Sequence, residues 1–516
     1  MKKFNVTGLC IPERNYMVDT SKKIDEVILK YIDEGEYFTI NRPRQYGKTT
    51  TMYLLNKKIS KEGYLVISIS FEGIGESSFE NEKELSKTVL ELMADILEYK
   101  EKELSDFLNK ELKKVDNLKS LSKLISKFII KAEKKVVLMI DEVDKSSNNK
   151  LFLNFIGMLR EKYLRRNAGE DYTFHSVILA GVHDIKNLKL RYRKDEERIY
   201  NSPWNIAADF DIDMSFSSEE ISSMLIDYEK DNKTGMDIEK MSDLLRDFTS
   251  GYPFLVSKLC KIIDEKLNKE FTEEGLRKAI NKLLNEKNTL FDDVIKNIEN
   301  NRELYELIRV LMLKGEQVPY FSTNKVIDIG LMYGILIEKQ GKVVISNKIF
   351  EVLLYNHMIG DMIVNRHIKT TPNRNQFIKE NNILDMEKIL EKFQLFMKSE
   401  YRDKDEKFIE REGRLLFLSF LKPIINGEGF YFVEPETRQD NRMDIVVVYN
   451  KIKYIIELKI WHGEEMKKQG IKQLCGYLEG QGEDKGYLVI FNFNKGKKYE
   501  KKMVEIDGKI LFEVVV

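Results

Sequence analysis

The sequence predicts an α/β protein with a parallel sheet and smaller domains after it. Short apolar segments, such as residues 135–140, fit strands that are buried on both faces of such a sheet. Long amphipathic segments of helical period separate them, most clearly over residues 80–133. A third observation is the loop at residues 42–49, which stands between an apolar strand and a helix. Together these features predict a sheet covered by helices, with a polar loop at the end of one strand.

Length and charge limit the class of protein. The 516 residues, 42% of them hydrophobic, are enough for about three domains. Lysine plus arginine and aspartate plus glutamate balance at 85 each, so the total charge argues neither for nor against nucleic acid. Three distant cysteines, Cys10, Cys260 and Cys475, fit thiols in a reducing compartment. No apolar run approaches the roughly 18 residues of a membrane span, so we expect no membrane partner and a cytoplasmic location.

The loop at residues 42–49 reads Arg-Pro-Arg-Gln-Tyr-Gly-Lys-Thr and follows the apolar residues 37–41. A strand, a tight loop ending in Gly-Lys-Thr and a helix are the layout of a phosphate-binding loop, in which backbone N–H groups surround a polyphosphate. Lys48 would reach the β- and γ-phosphates, and the Thr49 hydroxyl would bind Mg²⁺. Arg42 stands where the usual pattern has glycine, and a chance turn is the alternative interpretation. The other expected nucleotide-contacting residues are Arg44, Gln45, Tyr46, Gly47 and Thr50.

Residues 135–144, Lys-Val-Val-Leu-Met-Ile-Asp-Glu-Val-Asp, predict a buried strand with an acidic end. Asp141 sits where the strand leaves the sheet, a position from which an acid can hold the water shell of Mg²⁺. Glu142 is placed to orient or deprotonate an attacking water. An acidic loop after a strand is common, but its pairing with the Gly-Lys-Thr loop about 90 residues upstream favours a site that binds and hydrolyses ATP. We expect the two strands to be adjacent.

A further strand is predicted over residues 172–180 and ends in Gly-Val-His-Asp. In a parallel sheet its carboxyl end falls beside the phosphate site, so His183 or Asp184 is placed to sense the γ-phosphate; a plain turn is the alternative. Ser217 with Glu220 predicts a capped helix, the first of a helical lid. The sequence does not choose an arginine finger among Arg160, Arg165, Arg166, Arg191, Arg193 and Arg198.

The order of these elements resembles AAA-like ATPases, and the loop resembles more closely the predicted AAA-ATPase family of bacteria and archaea. In that family the loop reads Arg-Pro-Arg-(Arg/Gln)-(Phe/Tyr)-Gly-Lys-Thr, so Arg42 matches a family trait. The resemblance extends to Tyr-Met-Val-Asp at residues 16–19 and Asn-Ser-Pro-Trp-Asn at residues 201–205. It implies a P-loop NTPase core over residues 1–215 and a lid over residues 216–300. It also implies ATP and Mg²⁺ as cofactors and a module through which oligomers can form.

Residues 301–360 change in character. A helix over residues 302–313, a short extended piece, a second helix over residues 327–333 and two strands around a Gln-Gly turn predict a winged helix. Such a module binds duplex nucleic acid, or packs as a small domain after the lid. Neither helix carries a basic face, which favours packing. Residues 370–373, Thr-Thr-Pro-Asn, predict a linker.

The last third of the chain carries a second candidate site. Two apolar strands flank an Asn-Lys turn at residues 450–451, and a hairpin closed there puts Asp444 opposite Glu457. Strand alternation then puts Lys459 on the face of Glu457, and the backbone carbonyl of Leu458 can add an oxygen ligand. Hard oxygen ligands suit Mg²⁺ or Mn²⁺, which would polarise a phosphodiester. An exposed ladder of ion pairs is the alternative interpretation.

These residues resemble the PD-(D/E)XK nuclease superfamily over about residues 376–516, a domain that commonly follows the predicted ATPase. The resemblance lies in Asp444, about a dozen residues, the pair Glu457 and Lys459 separated by one residue, and a helix after them. It implies two metal ligands, a catalytic lysine and nucleic acid, with DNA as the expected form, as substrate. The residues that it adds as accessory are Gln473 and Tyr477 on that helix and Glu412 on an earlier one.

The leading hypothesis is an ATPase module whose nucleotide state gates or positions a metal-dependent nuclease-like domain. Two alternatives stay open. In one, a nucleotide-switched scaffold binds nucleic acid through a nuclease fold that does not cut. In the other, the nuclease is active and the ATPase module is a slow or inactive clamp.

Overall fold

A computed structural model gives the architecture. Its contacts divide the chain into two compact units, Met1–Arg246, Gly251–Lys269 and Met332–Gly334 in the first, and Asp247–Ser250, Glu270–Leu331 and Ile335–Val516 in the second. The domain limits expected from the sequence are finer than this division and stay predictions. The structure describes residues 2–146, 149–182, 189–190, 200–201, 204–314, 318–366, 374–400, 406–425, 429–434, 444–494 and 496–516.

The first unit alternates strands and helices in the predicted order. Its strands are β1 (Lys3–Phe4), β2 (Asn15–Tyr16), β3 (Tyr37–Asn41), β4 (Leu65–Ser70), β5 (Val136–Asp141), β6 (Ser176–Gly181), β7 (Lys189–Leu190) and β8 (Tyr200–Asn201). The helices that begin in it are α1 (Ser21–Val27), α2 (Lys48–Lys61), α3 (Glu82–Glu98), α4 (Lys102–Glu111), α5 (Leu118–Ala132), α6 (Lys150–Asn167), α7 (Ser218–Asn232), α8 (Ile238–Thr249) and α9 (Pro253–Lys266).

The central sheet is parallel and runs in the order β3-β6-β5-β4. The expectation that the strand before the phosphate loop adjoins the acidic strand is therefore wrong, because β6 lies between β3 and β5. After β3 the chain crosses to the far edge of the sheet and forms β4 there. It then returns one strand at a time through β5, so that β6 is inserted between β5 and β3. On its other side, β3 forms a parallel bridge from Phe38 to Ala208.

Two helical layers cover the sheet, because alternate residues of each buried strand point to opposite faces. Ile40 and Met139 belong to the apolar cluster that α1 and α2 complete. Leu138 and Ile140 belong to the larger cluster formed with α3, α4, α5 and α6. The continuous apolar runs in the sequence thus correspond to strands with no solvent-facing side, as predicted.

The second unit holds the elements predicted for a winged helix, and a second sheet. Its helices are α10 (Glu273–Asn285), α11 (Thr289–Glu299), α12 (Arg302–Arg309), α13 (Lys325–Met332), α14 (Lys348–Arg366), α15 (Met386–Glu400), α16 (Glu406–Ile425) and α17 (Glu464–Gln481). Its strands are β9 (Val318–Pro319), β10 (Leu336–Lys339), β11 (Lys342–Ile345), β12 (Ile378–Lys379), β13 (Ile383–Leu384), β14 (Gly429–Glu434), β15 (Asp444–Tyr449), β16 (Ile452–Ile460), β17 (Lys485–Phe491), β18 (Lys501–Ile506) and β19 (Lys509–Val515).

The elements predicted for a winged helix are present in sequence order: α12, β9, α13 and the hairpin of β10 and β11. The three strands form a sheet in the order β10-β11-β9. Helix α13 packs closely on the hairpin, since a Cβ added at Gly330 would lie 2.3 Å from Cδ1 of Leu336.

Among the described helices, none is long and apolar enough to cross a lipid bilayer.

The larger sheet runs β14-β15-β16-β17-β19-β18, with parallel pairing only from β16 through β17 to β19. A two-residue turn closes the hairpin of β15 and β16, where Asn450 has φ 46° and Lys451 has φ 70°. Positive φ at both positions is typical of the type I′ turn, whose twist matches that of the strands. The resulting register places Asp444 opposite Glu457, which confirms the predicted pairing.

Helices pack on both faces of this sheet. On one face, Leu474 and Leu478 of α17 join Ile455 and Leu488 in a buried cluster. On the other face the ring of Phe491 approaches both α15 and α16. It lies 6.2 Å from the ring of Phe393 in α15, and a Cβ added at Gly413 in α16 would come within 3.0 Å of it.

Helix α14 carries a partly buried carboxyl group, Glu351, from which we expect the stability of the second unit to depend on pH. Burial raises the pKa of Glu351 to about 8 from its ordinary value of 4.5, against the opposing charges of Lys348 and Arg414. The folded state thus keeps the proton that the unfolded chain releases near pH 4.5. This group costs no stability below the unfolded pKa, and its cost grows as the pH rises toward the folded pKa.

We expect Glu351→Gln to stabilise the protein relative to wild type increasingly from about pH 4.5 to about pH 8, by up to a few kcal/mol. The free energy of unfolding, measured by urea denaturation at several pH values, checks this. Glu303→Gln, at an exposed position of α12, is the matched control and should give a difference that does not change with pH. A Glu351→Gln difference that is flat in pH would contradict the assignment.

Candidate functional site

The phosphate loop is a turn between β3 and α2 that depends on left-handed backbone. Gly47 caps α2 with φ 84°, and Gln45 also has a positive φ of 56°. Such angles bend the chain back on itself, and they cost little at glycine but are uncommon elsewhere. The helix N-terminus at Lys48 and its free N–H groups therefore face the concave side of the loop, where an anion is favoured.

Lys48 lies under this loop. Its ammonium donates to the carbonyl oxygens of Arg42 at 2.9 Å and Pro43 at 3.0 Å. Burial lowers the pKa of Lys48, and the carboxylates of Asp144, Glu142 and Asp141 oppose that shift, in this order of size. The charge is thus held by carbonyl dipoles and three nearby acids.

Arg42, at the position where the usual pattern has glycine, turns away from the loop. Its guanidinium donates to the carbonyl oxygens of Ile212 at 2.7 Å and Asn41 at 2.8 Å, and it lies 5.2 Å from the ring centre of Phe210. Its backbone N–H donates to the carbonyl of Gly181 at the end of β6, at 3.2 Å. The side chain therefore anchors the loop instead of entering it, which explains why a large residue fits there.

The predicted metal-binding pair is in direct contact. The Thr49 hydroxyl donates to a carboxylate oxygen of Asp141 at 2.9 Å, from the start of α2 to the end of β5. Glu142 follows with φ 56°, and its N–H donates to the other Asp141 oxygen at 2.9 Å. Burial raises the pKa of Glu142, and the Asp141 carboxylate adds to the shift. The hydroxyl and carboxylate oxygens are donors that fit Mg²⁺.

Asp144 is a residue that sequence reasoning missed. Its carboxylate accepts from the N–H of Val182 at 2.6 Å, and a Cβ on Gly181 would come within 2.8 Å of it. It thereby ties the chain after β5 to the end of β6. The signal was the third acid of the Asp-Glu-Val-Asp segment. His183 and Asp184, the predicted γ-phosphate sensors, lie outside the described residues.

The loop also touches the start of helix α9. The Tyr252 hydroxyl donates to the Arg44 carbonyl at 2.6 Å, and the rings of Tyr46 and Tyr252 meet edge to face at 4.7 Å. On the other side, the Thr50 hydroxyl accepts from the N–H of Cys10 at 3.3 Å. The predicted capping box of Ser217 and Glu220 is present at α7.

Arg166, one of the arginines considered as a finger, has a structural role. It donates to the carbonyls of Gly35 at 2.8 Å and Phe174 at 2.9 Å, at the amino ends of β3 and β6. That is the end of the sheet opposite the phosphate loop. Three other candidates, Arg191, Arg193 and Arg198, lie outside the described residues.

The second cluster lies on β16. Glu457 is 1% exposed, and its carboxylate lies 2.7 Å from the ammonium of Lys459. The stem of Lys459 runs under α17, where a Cβ on Gly470 would lie 3.0 Å from it. The backbone of Asp444 pairs with Glu457, but the Asp444 side chain lies outside the described part of the structure. Among the side chains that are described, no group of three His, Cys, Asp or Glu could hold a metal ion.

The accessory residues are placed unevenly. Gln473 and Tyr477 both lie on α17. The buried side-chain amide oxygen of Gln473 accepts no hydrogen bond from any described residue. Leu458 lies within β16, opposite Val489 of β17. Glu412 belongs to α16, and its side chain is outside what the structure describes.

Sequence reasoning also missed a second buried acid in this sheet. The register runs from Glu457 through Leu488 to Glu513, so the two acids share one row, two strands apart. Glu513 is 3% exposed and lies 2.8 Å from the ammonium of Lys467 and 3.5 Å from that of Lys502. No sequence pattern marks Glu513, since the row exists only once β17 and β19 pair in parallel.

The first part of the chain is similar to a known domain family. A domain model described as AAA-like matches residues 13–355, well over half of the chain. The chain belongs to the AAA-like domain family. This membership supports ATP binding and hydrolysis by the AAA-like domain. An uncharacterised WD repeat-containing protein of Synechocystis sp. is 21% identical over 295 residues, which are 56% of this chain. The match spans only 23% of that relative's own length.

Solved structures of low similarity include a Walker-type ATPase of Pyrococcus abyssi, at 12% identity and TM-score 0.46, over 68% of this chain and 99% of that one. The ORC2 protein of Aeropyrum pernix has 12% identity and TM-score 0.37, over 69% and 96%. A RuvB mutant of Thermotoga maritima has 12% identity and TM-score 0.31, over 66% and 95%. The family assignment rests on the domain match.

We expect Arg42→Ala to lower the free energy of unfolding by on the order of 1 to 2 kcal/mol, because a partly buried guanidinium that donates to two carbonyls is lost. Arg42→Lys should recover part of the loss, since a single ammonium cannot reach both carbonyls with the same geometry. Urea denaturation checks this, with Arg14→Ala at an exposed position as control. If Arg42→Ala is as stable as wild type, the loop is not anchored through this side chain.

Proposed function

We propose that the chain is an ATPase whose nucleotide state gates or positions a fused metal-dependent nuclease of PD-(D/E)XK type. The observation that carries the first half is the 2.9 Å contact between Thr49 and Asp141, which joins the phosphate loop to the acidic strand. The AAA-like domain match supports it.

In this proposal Lys48 exchanges the carbonyls of Arg42 and Pro43 for the β- and γ-phosphates, and the N–H groups at the start of α2 hold the phosphates. Thr49 and Asp141 would hold Mg²⁺, which would supply charge at the transferred phosphoryl group. Glu142 orients the attacking water and takes its proton, a role that a raised pKa favours. The further nucleotide contacts are those of Arg44, Gln45, Tyr46, Gly47 and Thr50, and His183 or Asp184 senses the γ-phosphate.

We expect Lys48→Ala to abolish ATP binding, because the charge on the phosphates is lost, and Glu142→Gln to retain binding while losing hydrolysis. Calorimetric titration with ATP and a phosphate-release assay check the two variants. Lys57→Ala, in the same helix and paired with Glu13 at 2.6 Å, is the matched control. Unchanged affinity in Lys48→Ala would remove the nucleotide assignment, and unchanged turnover in Glu142→Gln would remove Glu142 from its role.

The nuclease half is carried by a different observation. A buried Glu457 contacts Lys459 at 2.7 Å, and the hairpin register brings the backbone of Asp444 directly opposite. A buried carboxylate is costly unless it is paired, so this arrangement is more than a decorated surface ladder. It supports the nuclease interpretation, and the oxygen-rich set fits Mg²⁺ or Mn²⁺.

We propose that Asp444, Glu457 and the carbonyl of Leu458 would hold that metal ion, which would polarise the phosphodiester and lower the pKa of a bound water. Lys459 stabilises charge at the phosphate. Gln473, Tyr477 and Glu412 act as accessory groups. The substrate is nucleic acid, with DNA as the expected form, and the protein acts in the cytoplasm.

Gating requires that nucleotide favour one arrangement of the domains over another, because a ligand shifts an equilibrium only through its differential affinity. The alternative function is a nucleotide-switched scaffold that binds nucleic acid without cutting. What favours the cutting form is the combination of the buried Glu457–Lys459 pair with Asp444 in the opposite register position of the hairpin.

Lys459→Ala should slow metal-dependent cleavage on the order of a hundredfold while the metal stays bound, and Asp444→Ala should remove both metal and cleavage. Nicking of supercoiled plasmid with Mg²⁺, Mn²⁺ or Ca²⁺, with and without ATP, measures cleavage, and calorimetry measures the metal. Lys453→Ala on the same strand, whose side chain contacts Gln481 at 3.4 Å, is the control. Absence of a bound divalent ion even with DNA present would exclude the nuclease and leave the scaffold.

A further inference from the structure

The sheet of the second unit ends in a strand with an open side. Strand β18 is the last in the order and pairs with β19 only, so no described strand lies along its outer edge. An open edge presents a row of unpaired backbone donors and acceptors, which is a template for another strand.

The backbone of β18 shows which groups face outward. The N–H of Val515 donates to the carbonyl of Glu500 at 2.9 Å, so the groups of Glu500 point toward β19. Direction alternates along an antiparallel strand, and the groups of Lys501, Met503 and Glu505 therefore point to the open side. Each of these three residues therefore offers one N–H donor and one carbonyl acceptor at the open edge.

The side chains of these three residues lie on one face of the sheet. Met503 is 53% exposed. Ile510 of β19, which lies opposite Glu505 in the ladder, is 44% exposed. Lys501 contacts Glu391 of α15 at 2.8 Å, and Glu505 has no ion-pair partner among the described residues. An apolar patch beside an unpaired acid thus borders the open edge.

The sequence of β18 is complementary to itself in one antiparallel register. A twofold axis through Met503, normal to the sheet, would place Lys501 opposite Glu505 of a second copy and Met503 opposite its counterpart. The charge pair then occurs twice, at cross-strand distances of about 5 Å between Cβ atoms. An axis through Val504 instead pairs Met503 with Glu505 and sets Lys501 opposite Asp507 in the turn after β18, so it pairs no opposite charges within the strand itself.

We propose that two copies of this chain associate through the outer edge of β18, in the register centred on Met503. The interaction would extend the sheet across both copies, give the outward backbone groups partners and cover the exposed Met503. It is independent of either catalytic proposal, since no residue of β18 belongs to them.

Sedimentation equilibrium of the full chain without nucleotide tests this. Wild type should dimerise, and Glu505→Lys, which sets Lys501 against a lysine twice, should raise the dissociation constant at least tenfold. Lys501→Glu should do the same, because it sets two pairs of acids against each other. Met503→Pro should also dissociate the dimer, because it removes an outward N–H but none that bonds β19.

Mixing the Glu505→Lys and Lys501→Glu proteins should restore a heterodimer, since both charge pairs then have opposite signs, and native mass spectrometry distinguishes the two masses. Circular dichroism confirms that each variant is folded. A wild type that stays monomeric, a dimer that these variants do not weaken, or two monomeric variants that fail to pair would each overturn the proposal. An assembly that needs ATP and ignores the variants would assign oligomerisation to the ATPase module instead.

Discussion

The hydrogen bond from Thr49 to Asp141 joins two strand ends that the sheet keeps apart. Strand β6 lies between β3 and β5, so no ladder of backbone hydrogen bonds brings these residues together. They meet because Arg42 fixes the phosphate loop at two points. Its backbone N–H donates to Gly181 at the end of β6, and its guanidinium donates to the carbonyl of Ile212. The geometry of the candidate nucleotide site therefore depends on Arg42, which stands where the usual motif has glycine.

Three charged side chains that are buried in the two units, Lys48, Glu457 and Glu513, each have compensating groups nearby. An isolated ion in an apolar interior is too costly to keep, so each buried charge needs a partner or a set of dipoles. Lys48 has loop carbonyls and three acids, Glu457 has Lys459, and Glu513 has two lysines. Lys48 and Glu457 can exchange these partners for a phosphate or a metal ion, and chemistry is proposed at both; none is proposed at Glu513.

The two sheets differ in how local their pairing is. In the second unit a type I′ turn fixes the register of β15 and β16 from adjacent sequence, and that register decides the pairing of Asp444 with Glu457. The parallel strands are added later in the chain, β17 beside β16 and β19 beside β17. They create the row that contains Glu513, and they leave β18 as an open edge.

The sequence by itself determined the elements and the local sites. Apolar runs predicted β3, β5 and most of β6, and the Gly-Lys-Thr loop, the Asp-Glu strand end and the Asn-Lys hairpin lie where the patterns predicted, because turn chemistry and alternation are local properties. Only the tertiary structure decided the strand order, in which β6 separates β3 from β5, and the roles of Asp144, Tyr252 and Glu513. Those depend on contacts between distant segments, which leave no periodic signal in the sequence. The outward turn of Arg42 belongs to the same class, since its partners at Phe210 and Ile212 lie about 170 residues away.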